Sequence, residues 1–140
     1  MVGLGCGARS YTRDLHYSFD YAVSVGGVRA VIDDYLARPA GDFEHAEVGF
    51  ALDEGERQRR WLVKTLLRSD GVDRAAWRAR FGGDVTEHVP HLARLHDLGW
   101  LAESDATVTL TEEGMAHSDA VGPWLVSDAV HRAMGEYELR

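Results

Sequence analysis

Apolar residues recur along the chain at helical spacing in some stretches and lose it in others, and these changes mark out the elements. Val28, Val31, Ile32, Tyr35 and Leu36 fall on one helical face. Pro39, Gly41 and Asp42 end that helix. Residues 1 to about 24 hold no sustained period and read as loop, with a short extended piece around His16 to Val23. Ala46 to Leu52 reads as a connector.

From Asp53 the pattern tightens. Asp53 followed by Glu56 has the spacing of a capping box, and the helix behind it presents Trp61, Leu62, Val63, Leu66 and Leu67 as a stripe. It stops near Ser69-Asp70-Gly71. A short helix begins at the cap Asp73, carries Ala76, Trp77 and Ala79, and ends at Phe81 before Gly82-Gly83. A third begins at Asp84 and presents Val85, Val89, Leu92, Leu95 and Leu98 up to Gly99, with Pro90 predicting a late start or a local kink. Trp100-Leu101-Ala102-Glu103 and Thr107-Val108-Thr109-Leu110 read as two strands around Ser104-Asp105-Ala106. Thr111 then opens a long helical segment with Met115, Val121, Trp124, Leu125, Val130 and Met134 as candidate core. The fold class is mainly α with a small β hairpin (α+β). Residues 1–52 form a loop, linker and helix, and 53–140 a winged-helix-like domain, because the order is a helix-turn-helix followed by a wing.

Composition narrows the functions. With 45% hydrophobic and 27% charged residues, the chain reads as an ordinary soluble domain, and no apolar stretch is long enough to span a membrane. Met1-Val2-Gly3 has no basic flank or apolar core and so is no secretory signal. One cysteine, Cys6, excludes an intrachain disulfide and suits the cytoplasm.

A winged helix commonly binds DNA, yet the net charge is −8. The third helix sets Asp84, Glu87 and Asp97 against Arg94 alone, and the wing adds Glu103 and Asp105. Acidic recognition elements repel phosphate, so nucleic acid is an unfavoured partner and the winged helix reads as a packing module. The basic residues Arg57, Arg59, Arg60, Lys64 and Arg68 lie on the first helix of the unit, balanced by Glu54 and Glu56. A free-standing interaction or DNA-binding regulatory module is the alternative.

His88, His91 and His96 tempt a metal reading, but zinc takes three or four convergent ligands and no cysteine is near, so they read as solvated surface. Asp14, His16 and Tyr17 stand close to the most unusual segment, where a hydrogen-bonding role suits them.

That segment is Gly3-Leu4-Gly5-Cys6-Gly7-Ala8-Arg9-Ser10-Tyr11. Alternate glycines let a backbone bend through positive φ and lie close to a ligand. The run lacks the Gly-Lys-Ser/Thr ending of a phosphate loop and the strand and helix of a dinucleotide site. Cys6 has no base partner and reads as a small buried residue. Since only Met1 and Val2 precede the run, it looks like the end of something larger.

The run and the pattern behind it resemble the C-terminal part of the radical SAM enzymes related to oxygen-independent coproporphyrinogen III oxidase. Those enzymes carry a G-x-G-x-G-A-x-S-Y run at the end of a late barrel strand, then a linker, a helix and a winged-helix-like domain. Here the matching pieces are His16-Tyr17-Ser18 through Leu36, Gly71-Val72-Asp73, Arg80-Phe81-Gly82, Leu95-x-x-x-Gly99 and Leu110-Thr111-x-x-Gly114. Ser118-Asp119 and Pro123-Trp124-Leu125 resemble a subfamily of uncertain substrate.

The resemblance implies a cytoplasmic oxidoreductase of porphyrin biosynthesis, with a [4Fe-4S] cluster and S-adenosyl-L-methionine acting on a tetrapyrrole-like substrate. Gly3, Gly5, Gly7 and Ala8 would line the cofactor or substrate cavity through their backbone, and Arg9, Ser10 and Tyr11 would help close it. The family holds its cluster with C-x-x-x-C-x-x-C, whereas this sequence has Cys6 alone. The implied partner is therefore a radical SAM barrel, from the same gene or in trans, and the chain is expected to be a C-terminal fragment inactive by itself.

Overall fold

A computed structural model describes residues 1–18, 25–46 and 48–136. The chain divides into two compact units, Met1–Asp53 with the residues from Arg132 onward, and Glu54–His131. Both are mixed α+β, and each has one small antiparallel sheet.

In the first unit, β1 (Arg9–Tyr11), β2 (Leu15–Ser18) and β3 (Val48–Ala51) form a sheet in the order β1-β2-β3. Ser10 lies opposite Tyr17, and Tyr17 opposite Gly49. This corrects the loop reading of residues 9–15 and the connector reading of 46–52, while β2 falls at the start of the extended piece expected around His16 to Val23. Strands of three or four residues are too short to show alternation, and their pairing is long-range: β3 is separated from β2 by helix α1 (Val25–Ala37) and a 3-10 turn at Ala40–Glu44. Residues 19–24, part of the expected extended piece, lie outside the described residues. On α1, Val31 and Tyr35 are half-buried, and Tyr35 packs its ring against Phe43 with centroids 4.9 Å apart. Val28, Ile32 and Leu36 stay exposed. No hydrophobic residue described in Met1–Asp53 is buried.

The core lies in the second unit. Leu62 and Leu66 of α2 (Glu54–Leu66) are fully buried, with Trp61, Val63 and Leu67 packed beside them. β4 (Val72–Asp73) leads into α3 (Arg74–Phe81), capped by the Asp73 carboxylate, which accepts the Ala76 N–H at 2.7 Å. Trp77 of α3 is the largest fully buried side chain.

Asp84 then caps α4 (Val85–His88) in a complete capping box with Glu87. The expected single third helix is broken. Proline disfavours helical backbone in the residue before it, and Val89 sits at φ −129° and ψ 67°. A 3-10 turn at Pro90–Leu92 and α5 (Ala93–Asp97) follow. Val85, Val89, Leu92 and Leu95 are buried despite the break, while Leu98 is exposed.

The two expected wing strands are β5 (Leu101–Glu103) and β6 (Thr107–Leu110), and β4 adds a third in the order β4-β6-β5. Gly71 precedes β4 at φ +66°, and a Cβ there would collide with the Val108 carbonyl. The closing helical segment is three helices, α6 (Glu112–Ala116), α7 (Ser118–Trp124) and α8 (Asp128–Glu136), not one. His117 turns the chain between the first two, and the Ser127 hydroxyl starts the last by accepting the Val130 N–H at 3.2 Å. Val121 and Leu125 join the core; Trp124 and Met134, expected there, are exposed. Among the described residues, no helix is long and apolar enough to cross a membrane.

Candidate functional site

The glycine run folds as a tight hairpin turn. Met1 and Tyr11 exchange two backbone hydrogen bonds, Met1 N to Tyr11 O at 2.9 Å and Tyr11 N to Met1 O at 2.8 Å. Reciprocal bonding of this kind is the signature of an antiparallel pair. Residues 1–3 therefore run along the outer edge of β1. The reversal is made by Gly5 at φ 101° and Gly7 at φ 69°, with the Ala8 N–H donating to the Gly5 carbonyl at 3.2 Å. Those two angles are costly for any other L-residue.

Gly3 is needed for close approach, because a Cβ on it would lie 2.7 Å from the Arg9 carbonyl oxygen. Its N–H donates to the Ser10 hydroxyl oxygen at 3.0 Å. Ser10 is buried and so fixes the base of the hairpin, while Leu4 at the tip is 91% exposed. Cys6 is exposed, which corrects its reading as a buried small residue.

Tyr11 and His16 face each other across β1 and β2, and their rings stack with centroids 4.4 Å apart and planes 22° from parallel. Asp14 is also drawn in, its backbone carbonyl accepting the Leu52 N–H at 2.7 Å. The sheet thus brings together the glycine run, Tyr11, His16 and Asp14, which the sequence placed only as neighbours in a loop. The arrangement offers backbone N–H and carbonyl groups at a glycine turn, with a stacked aromatic pair at the base of the hairpin.

In the second unit two of the acidic residues expected to repel DNA, Asp84 and Glu103, are held by arginines. The Arg74 guanidinium bridges the carboxylates of Asp84 and Glu103, and Arg78 Nη1 reaches the second Asp84 oxygen at 2.8 Å. Burial pushes the Asp84 carboxyl up, but the Arg74 hydrogen bond, the Thr86 backbone and hydroxyl and the Arg74 charge outweigh it and hold the group below the ordinary carboxylate range. These acids tie α3, the cap of α4 and β5 together.

His88 is not solvated surface. Its Nδ1 accepts the indole N–H of buried Trp77 at 3.2 Å, with Gln58 Nε2 3.3 Å away. His91 packs edge-on to Trp124 with centroids 5.1 Å apart, and burial, then the charge of Arg59, pushes its pKa down. Neither role was legible, since Trp77 and Trp124 reach these histidines across the fold. Among the described residues, no group of three His, Cys, Asp or Glu side chains converges to hold a metal ion.

Comparison with known families matches residues 52–117 to the HemN C-terminal domain. A HemN C-terminal domain is therefore present, as the sequence resemblance implied. No curated protein and no solved structure matches the chain.

Proposed function

We propose that the chain acts as the C-terminal part of a coproporphyrinogen III oxidase-like radical SAM oxidoreductase, with the catalytic barrel supplied by polypeptide outside these 140 residues. The observation that carries this is the HemN C-terminal domain at 52–117, joined in one chain to the Gly3–Tyr11 hairpin. In this reading the winged-helix-like domain caps the barrel, and Gly3, Gly5, Gly7, Ala8, Arg9, Ser10 and Tyr11 line the S-adenosyl-L-methionine or substrate cavity. The hairpin suits that role because its glycines leave backbone amides uncovered by side chains.

The residues present do not fit an iron–sulfur cluster. Such a cluster takes several cysteine thiolates, and the chain offers one exposed cysteine. The cluster and the radical chemistry it supports belong to the partner barrel, and the chain alone is inactive.

The test joins the chain to a cysteine-bearing radical SAM barrel and measures S-adenosyl-L-methionine affinity by calorimetry. Gly5→Val and Gly7→Val in the joined protein are expected to weaken binding. Affinity unchanged in both variants removes the hairpin from the cavity.

A further inference from the structure

On α1 the rows of residues four apart have separate fates. The row Val31–Tyr35 turns inward, with Tyr35 on Phe43, while the row Val28–Ile32–Leu36 is exposed, Leu36 at 76%. A row at this spacing is the ridge by which helices most often interlock, each ridge lying in the groove of the other helix. Val28 at 42% and Ile32 at 39% exposure, with Leu36, leave apolar surface in water that a partner would remove.

The neighbouring row carries Arg29 and then Asp33, both exposed, and among the described residues neither has a hydrogen-bond or ion-pair partner. The cation sits towards the helix N-terminus and the anion one turn further on. A parallel copy of α1 would carry the Arg29 and Asp33 of the two copies to opposite flanks of the contact, where neither meets an opposite charge. An antiparallel copy crossing near Ile32 sets each Arg29 towards the Asp33 of the other copy. The face is thus complementary to itself under a two-fold axis, which is the requirement of an isologous interface.

We propose that the exposed face of α1 is an interface between two copies of this chain, with Ile32 against Ile32 at the axis and Arg29 paired with Asp33 across it. A single helix pair buries less than the standard interface of about 1,200–2,000 Å². The association is therefore reversible and concentration-dependent. It does not rest on the radical SAM reading.

Sedimentation velocity of the full chain over rising concentration tests this, alongside circular dichroism to show that each variant keeps its fold. The wild type shifts from monomer to dimer, and Ile32→Glu abolishes the shift. Arg29→Asp weakens dimerisation at least tenfold, while Arg29→Asp combined with Asp33→Arg restores it, since the exchanged charges again meet opposites. A wild type still monomeric at about 1 mM, a dimer indifferent to Ile32→Glu, or a double variant as weak as the single one overturns the proposal.

Discussion

Trp77 and His88 are joined by a hydrogen bond in which the buried indole Nε1–H donates to the imidazole Nδ1 at 3.2 Å. A donor buried beside Trp61 and Phe81 has no route to water, so the histidine is its partner by necessity. His88→Leu is expected to cost about 1–3 kcal/mol in urea denaturation, the penalty of an orphaned buried donor. His88→Gln, whose amide oxygen accepts, is expected to recover part of that loss.

Gly114 reverses a common rule. Glycine inside a helix is ordinarily improved by alanine, by about 1 kcal/mol. In α6, however, a Cβ on Gly114 would collide with the Trp100 carbonyl. Gly114→Ala should therefore destabilise by about 2 kcal/mol or more. Gly135→Ala in α8, where the space is open, should leave stability unchanged or raised. Thermal unfolding of the two variants side by side reads the opposite signs.

Two groups make stability depend on pH. His91 has a pKa below the ordinary 6.5, because burial and Arg59 disfavour its cation. Protons then bind the unfolded chain more readily, so stability is full above pH 6.5 and declines as pH falls from there towards the folded value. His91→Gln is expected to flatten that decline in a denaturant titration across pH.

Asp84 works further down the scale. Its folded pKa is lower than 3.8, so the stability it confers is present above pH 3.8 and lost as pH falls through the folded value. Asp84→Asn keeps a capping side chain but removes the anion that Arg74 shares with Glu103 and that Arg78 reaches. A loss of about 1.5–3 kcal/mol at neutral pH is expected, as for losing hydrogen bonds to a charged group.

All thirteen buried hydrophobic residues among those described lie from Leu62 to Leu125. A polypeptide of residues 54–131 is therefore expected to unfold cooperatively with nearly the stability of the full chain. A broad, non-cooperative transition would show that the first unit supplies stability this core does not.

How far the sequence reached depended on the range of each interaction. The caps at Asp73 and Asp84 were legible because an N-cap is a matter of three residues. The kink at Pro90 is local in the same way, and of the apolar face expected there Val85, Val89, Leu92 and Leu95 are buried while Leu98 is exposed. The sheet β1-β2-β3 was not legible, because its strands are short and β3 comes from beyond α1. Asp84 and Glu103 looked like a repulsive surface since their partners, Arg74 and Arg78, stand in another element. At the candidate site, the glycines pointed to a turn, but the Met1–Tyr11 pairing and the Tyr11–His16 stack depend on contacts that carry no local signature.

The proposal that this chain supplies a C-terminal domain and a cavity-lining hairpin puts the iron–sulfur cluster on other polypeptide. Anaerobic reconstitution of the isolated 140-residue chain with iron and sulfide, followed by absorbance and iron analysis, tests it most directly. No stoichiometric cluster is expected, since Cys6 alone cannot ligate one. A stable cluster on the chain by itself would contradict it.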